Sequence, residues 1–202
     1  MTVPHGAKWL HWDKMDGRFV PEKTDLDPSL LRSCRSITGE IYDVHLMVRD
    51  PDDYIKEYAS AGADFITVHA EACRHTRKTL HHIRSFGKNA GLAFKPDTPV
   101  NIVEELLDVL DMVLVMTVYP GRSGQCIVES CLEKVRQVAD LIRQRAPDIL
   151  LQVDGGIDLS NIGKVSAAGA NVFVAGNAVF KSPTNPLDTI RKMHAIAQKA
   201  RA

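Results

Sequence analysis

Two histidines and two aspartates are placed where they can share one ion. They lie in His11-Trp12-Asp13-Lys14-Met15-Asp16-Gly17, Asp43-Val44-His45-Leu46-Met47 and Val153-Asp154-Gly155-Gly156-Ile157, three segments that each end a strand-like run. Alternation along a strand sends His11, Asp13 and Met15 to one face and Trp12 and Lys14 to the other. His11 and Asp13 can therefore ligate the same ion, and His45 and Asp154 complete two imidazoles and two carboxylates. That donor set suits Zn²⁺, Mn²⁺, Fe²⁺ or Co²⁺. An ion held beside a carbonyl and a hydroxyl acts as a Lewis acid and stabilises an enediolate. Asp13 and Asp154, from opposite sides, can then serve as general base and general acid. Inverting a carbon needs one such group on each face.

A second set of residues suits an anion. Gly155-Gly156 follows Asp154, and Ala175-Gly176-Asn177-Ala178 follows the last strand-like run. Phosphate sites after the final two strands are common in α/β barrels, where backbone N–H groups meet the anion. Tyr119-Pro120-Gly121-Arg122-Ser123-Gly124-Gln125 can add mobile backbone and a cation. Met15, Met47 and Met116 each end a strand and suit either core filling or an apolar lining that excludes water. His69, Lys95 and Asp97 read as rim residues, and His75, His81 and His82 as solvated positions on a helix.

The elements that position these residues alternate. β-rich runs are predicted at 9–15, 41–46, 65–69, 90–94, 112–116, 150–153 and 172–175. Amphipathic helices are predicted at 51–61, 73–86, 100–110, 127–145, 159–168 and 187–199, the fourth carrying Leu132, Val135, Val138 and Ile142 at helical spacing. Ala61-Gly62-Ala63 and Ala168-Gly169-Ala170 precede two strands, where glycine supplies a left-handed helix cap. Seven βα units fit an open doubly wound sheet or a (β/α)8 barrel short of one unit. Polar strand ends on many strands favour the ring.

The chain has 202 residues and most simply forms one domain, 1–202. Lys+Arg 25 balances Asp+Glu 25, which gives no field for nucleic acid or anionic membrane. No apolar run is long enough to span a bilayer, and Met1-Thr2-Val3-Pro4-His5-Gly6 lacks the apolar core of a secretory signal. Cys34, Cys73, Cys126 and Cys131 show no CxxC spacing, which predicts reduced thiols in a cytoplasmic protein. Cys126 and Cys131 are expected on one helix.

The sequence resembles the ribulose-phosphate 3-epimerase family. The matching strings run in order over nearly the whole chain: residues Ala7 to Pro21, Asp43-Val44-His45-Leu46-Met47-Val48, Val68-His69-Ala70-Glu71, Val115-Met116-Thr117-Val118-Tyr119-Pro120-Gly121, Val153-Asp154-Gly155-Gly156-Ile157 and Val174-Ala175-Gly176-Asn177-Ala178. The resemblance implies a TIM (β/α)8 barrel of the ribulose-phosphate-binding type that interconverts D-ribulose 5-phosphate and D-xylulose 5-phosphate. It implies a divalent metal held by His11, Asp13, His45 and Asp154, with Asp13 and Asp154 as the proton-transfer acids. It places His45, Gly155, Gly156, Gly176 and Asn177 against substrate, and Gly121, Arg122, Ser123 and Gly124 in a mobile loop over it. A cytoplasmic homo-oligomer acting on a small sugar phosphate is the expected form.

The chain also departs from the family pattern. A first strand and helix, with a serine that contacts substrate, normally precede the segment around Trp9, so the barrel is expected without them. Lys14 replaces an apolar residue and is expected in solvent or snorkelling past apolar neighbours. Glu22 replaces an asparagine, Arg122-Ser123 replaces Phe-Gly, and Asn177 replaces a common serine. These changes keep two alternatives open: an epimerase of another ketose phosphate, such as allulose 6-phosphate, or a shortened non-catalytic paralogue that acts as an interaction protein. A start site upstream of Met1 would account for the short beginning.

Overall fold

The computed structural model describes residues 7–122 and 124–201. Seven parallel strands pair in chain order: β1 (Trp9–Met15), β2 (Ile41–Met47), β3 (Phe65–His69), β4 (Asn89–Phe94), β5 (Met112–Met116), β6 (Leu150–Asp154) and β7 (Val172–Val174). The helices are α1 (Pro28–Arg35), α2 (Asp52–Ala61), α3 (Thr76–Ser85), α4 (Asn101–Glu104), α5 (Cys131–Arg145), α6 (Ile162–Ala167), α7 (Asn177–Phe180) and α8 (Pro186–Lys199). Among the described residues no helix is long and apolar enough to cross a membrane.

One hydrogen bond decides between the open sheet and the ring. Gln152 Nε2 on β6 donates to Asp43 Oδ2 on β2 at 2.6 Å. Four strand spacings separate β2 from β6, about 19 Å in a flat sheet. Only a sheet curled on itself brings these side chains together, so the fold is a nearly closed barrel of seven strands. β1 pairs with β2 alone and β7 with β6 alone among the described residues. These two strands are half-buried, whereas β3 and β5 are buried throughout.

Alternate residues divide the core in two. The outward set, including Val44, Leu46, Ile66, Val68, Leu92, Val113, Val115, Leu151 and Val153, packs under the helices with Leu80, Val135 and Val165. This shell is the main hydrophobic core. The inward set holds a small apolar cluster of Ala93, Leu114 and Met116. Beside it lie fully buried polar groups, Asp43, His45, Thr67, His69 and Gln152. Parallel register stacks them in layers, with His11 beside Asp43 and Asp13 beside His45. Gly91 faces Thr67 across the β3–β4 ladder, where a Cβ would collide with the threonine hydroxyl.

Most predicted elements are present with shifted ends. α1 was not expected, although Asp27 caps it through Ser29 N and Pro28 opens it, both ordinary start signals. The helix expected at 100–110 is instead α4 followed by a 3₁₀ turn at Leu107–Val109. The helix expected from 127 starts at Cys131, so Cys126 and Cys131 do not share it. Val128 N–H is held by Thr117 O instead, which ties that segment to the end of β5. Lys14 is neither free in solvent nor snorkelling past apolar groups: its ammonium donates to the carbonyls of Leu26 at 3.2 Å and Thr24 at 3.4 Å.

The expected left-handed glycines are seen at Gly62, φ 108°, and Gly169, φ 113°. Gly169 also lets the turn before β7 press onto α5, where a Cβ would overlap that of Ala139. Gly169→Ala should therefore lower stability by about 1–3 kcal/mol through strain and overpacking. Urea unfolding measures this, and an unchanged midpoint would contradict the contact.

Candidate active site

β1, β2 and β6 bring the four expected donors to one point. One ligand atom each from His11, Asp13, His45 and Asp154 lies within 4.8 Å of the others. Asp13 Oδ1 stands 3.2 Å from His11 Nε2 and 3.0 Å from His45 Nδ1, and Asp154 Oδ2 is 3.9 Å from His45 Nδ1.

Around them lies a set of buried partners that sequence reading did not single out. His11 Nδ1 is bonded to Asp43 Oδ2 at 2.7 Å. Asp43 also accepts from Gln152 at 2.6 Å and from the Thr67 hydroxyl at 3.4 Å. Since a carboxylate only accepts, the His11 proton sits on Nδ1 and leaves Nε2 as a lone pair. That Nε2 is buried and makes no hydrogen bond, because Asp13 lies off its line despite the short distance. Buried polar atoms are nearly always satisfied, so an orphan here calls for a partner absent from the polypeptide. A lone-pair nitrogen beside two carboxylates and a second imidazole fits a divalent cation, and a proton is the only other simple occupant.

Protonation follows the same demand for positive charge. Burial disfavours a charged His11, but Asp43 and Asp13 outweigh it and raise its pKa well above the usual value. Burial likewise pushes the Asp13 carboxyl up, yet His11 and His45 hold it far below the ordinary range. Burial and the Asp13 charge push Asp154 up to about 6. The two carboxyls thus differ in the way an acid–base pair requires.

The glycine-rich loops converge beside this cluster. Gly155 turns at φ 119°, and a Cβ there would meet Val118 Cγ2 at 2.5 Å. Thr117 Oγ1 donates to Gly155 O at 2.6 Å and fixes the turn to the end of β5. At Gly156 a Cβ would meet Gln125 O at 2.5 Å, so the loop after β5 passes directly over it. Gly124 of that loop lies against the Asn177 amide, and Gly121 packs on Val20 and Pro21 of the β1–α1 connection. Gly176 leads into α7 with open space where a side chain would be. Arg122 is exposed, and Ser123 lies outside the described residues.

The rim assignments need one correction. His69 is fully buried, bonded to His45 and Glu71 beneath the mouth. Lys95 lies over the Phe19 ring and Asp97 is exposed, as rim positions would be. His75 and His81 are exposed, whereas His82 pairs with Asp52 at 2.9 Å. Met47 and Met116 are buried, and Met15 is half-buried.

The sequence profile of the "Ribulose-phosphate 3 epimerase family" matches residues 2–180. The ribulose-phosphate 3-epimerase of Bacillus subtilis is 44% identical over 176 residues, covering 87% of this chain and 81% of its own. That of Escherichia coli K12 is 44% identical over 180 residues, covering 88% and 79%. Among solved structures, KGPDC from Streptococcus mutans superposes with a TM-score of 0.68 at 18% identity, over 87% of this chain and 81% of its own. N-(5'-phosphoribosyl)anthranilate isomerase from Pyrococcus furiosus gives 0.66 at 16% identity, over 96% and 90%. These two share the barrel fold.

Asp154 yields a prediction for the metal-free protein. Its folded pKa of about 6 exceeds the ordinary 3.8, so the fold favours the neutral form. That contribution is full below about pH 4 and lost as pH rises through about 6. Above pH 6 the ionised group costs up to about 3 kcal/mol. Asp154→Asn should therefore be more stable than the wild type at pH 8 and equal to it near pH 4. Thermal unfolding in chelator checks this, and an equal gap at both pH values would contradict it.

Proposed function

Since the chain belongs to the ribulose-phosphate 3-epimerase family, we propose that it interconverts D-ribulose 5-phosphate and D-xylulose 5-phosphate with a divalent metal. The observation that carries the proposal is the convergence of His11 Nε2, Asp13, His45 Nδ1 and Asp154, with the first of these buried and unbonded. Zn²⁺, Fe²⁺, Mn²⁺ and Co²⁺ all suit two imidazoles and two carboxylates. When bound, the ion supplies Lewis-acid stabilisation of the negative charge developing on the substrate oxygens.

The polypeptide moves the protons. Asp13, held ionised by its two histidines, takes the C3 proton from one face of the sugar. Asp154, whose proton state changes near pH 6, delivers a proton to the other face. The reverse reaction exchanges these roles. His45 and the lid residues Gly121, Arg122, Ser123 and Gly124 contact the sugar phosphate. Gly155, Gly156, Gly176 and Asn177 let the phosphate approach the backbone closely. The free thiols suit a reducing, cytoplasmic setting. Assembly as a homo-oligomer completes the proposal, and light scattering that reports a monomer would remove that part.

Incubation of the metal-loaded protein with D-ribulose 5-phosphate in D₂O is the test. Deuterium should enter at C3 as D-xylulose 5-phosphate forms, and Asp154→Asn should lose turnover by about 10²–10⁴-fold while keeping its fold. Absence of exchange with every metal would sink the catalytic reading and leave the non-catalytic paralogue. Undiminished turnover in the variant would remove Asp154 from its role. Because the exposed Arg122 stands where the family usually has phenylalanine, allulose 6-phosphate is assayed in parallel. Faster turnover of that sugar would reassign the substrate.

A further inference from the structure

The rim across from the glycine loops carries a cleft of a different character. Arg18 after β1, Arg49 and Asp50 after β2, and Glu71 and Arg74 after β3 line a volume of about 460 Å³. Small-ligand pockets run to about 300–1,000 Å³, so the cleft is large enough for one. The Gln152–Asp43 bond sets β2 across the barrel from β6. The arginine cleft and the glycine loops after β6 and β7 therefore flank the His11, Asp13, His45 and Asp154 cluster from two sides.

The charges of the cleft are not balanced from within. Arg74 is paired with Asp50, whose Oδ1 accepts from Nε at 3.2 Å and from Nη2 at 3.0 Å. That pairing leaves the Nη1 end of the guanidinium for another acceptor. The Glu71 carboxylate is committed elsewhere: it accepts from the Lys95 N–H at 2.8 Å and the Thr98 hydroxyl, and meets His69 Nδ1 at 3.2 Å. Among the described residues the side chains of Arg18 and Arg49 make no hydrogen bond or ion pair. Three guanidiniums thus share the cleft with one carboxylate directed at them, which leaves it positive.

The backbone builds this grouping. Asp16 Oδ1 accepts from the N–H of Arg18 at 2.8 Å and of Phe19 at 2.9 Å. Its Oδ2 accepts from the N–H of Arg49 at 2.8 Å. One carboxylate thereby pins the loop after β1 to the loop after β2. The tie holds close together two like charges that would otherwise drift apart.

Guanidinium forks match phosphate oxygens through paired N–H donors, and the contact is charge-assisted. We propose that this cleft is a second anion subsite, which binds a phosphate dianion through Arg18, Arg49 and Arg74. Two sources share that chemistry: free inorganic phosphate, or the distal phosphate of a ketose bisphosphate lying across the mouth. The inference goes beyond the proposed epimerisation and needs no metal, so the two stand or fall separately.

The test uses the full chain, labelled with ¹⁵N-arginine and treated with chelator. The Nε–H signals of the three arginines are assigned from Arg18→Gln, Arg49→Gln and Arg74→Gln, then followed as inorganic phosphate is added. They should shift and saturate, whereas sodium chloride of equal ionic strength should leave them in place. The double variant Arg18→Gln/Arg49→Gln should weaken phosphate binding, read at Arg74, by about 10–100-fold. Its melting temperature should not change, because Asp16 bonds only the backbone of these residues. D-ribulose 1,5-bisphosphate separates the sources. Binding at least about tenfold tighter than D-ribulose 5-phosphate, with that gain erased in the double variant, assigns the phosphate to the bisphosphate. No gain, with inorganic phosphate still saturating the cleft, assigns it to the free ion. Arginine signals that respond to phosphate and bisphosphate no more than to chloride overturn the proposal. Wild-type phosphate affinity in the folded double variant overturns it as well.

Discussion

A carboxyl group sealed inside a protein must be surrounded by donors, and Asp43 meets that constraint by drawing on three strands besides its own. His11 from β1, Thr67 from β3 and Gln152 from β6 all reach it. The Gln152 contact exists only if the sheet curls until β6 comes round to β2. The same curl sets Asp154, two residues further along β6, opposite Asp13. Asp43 therefore works in two directions. It ties the barrel across its interior, and it holds the His11 proton on Nδ1 so that Nε2 faces the mouth. Truncating one partner would leave a buried polar group unpaired, which costs more than the bond itself contributes.

From that geometry the electrostatics of the mouth follow. Lone pairs and carboxylates crowded within one coordination radius repel unless positive charge lies among them. The polypeptide alone meets this by retaining protons, seen in the raised pKa of His11 and of Asp154. A divalent ion meets it better and displaces those protons, which couples metal binding to pH. Asp13 stays ionised because two imidazoles flank it, and Asp154 is lifted because it meets that charge in a buried position. One crowded point thus underlies both the proposed affinity for a cation and the proposed division of labour between the two acids.

What could be read from the sequence was what a single strand or turn encodes. The alternation His11, Trp12, Asp13, Lys14 gave the inward pair directly, because period two is a local property. Asp154-Gly155-Gly156 was legible because the glycines are needed locally, for positive φ and for close approach. The capping pair Asp27-Pro28 was equally local, and α1 was missed only because it lay outside the βα rhythm. The buried partnerships of Asp43, Gln152, His69 and Glu71 were hidden for another reason. Asp43 and Gln152 are 109 residues apart, and their meeting depends on register and curl, which no short window contains. The start of α5 shows the same limit from the other side. Ile127 and Val128 continue the helical pattern, but the tie from Val128 to Thr117 holds that segment against the barrel rim.

Acid–base chemistry and cation affinity at this mouth both require that two imidazoles and two carboxylates from β1, β2 and β6 converge on one ion. X-ray absorption at the zinc edge of the stoichiometrically loaded protein tests this most directly. One ion per chain is expected, with nitrogen and oxygen neighbours at about 2.0–2.2 Å and the outer scattering of two imidazole rings. A bound ion without imidazole scattering, or with a sulfur neighbour, would contradict it.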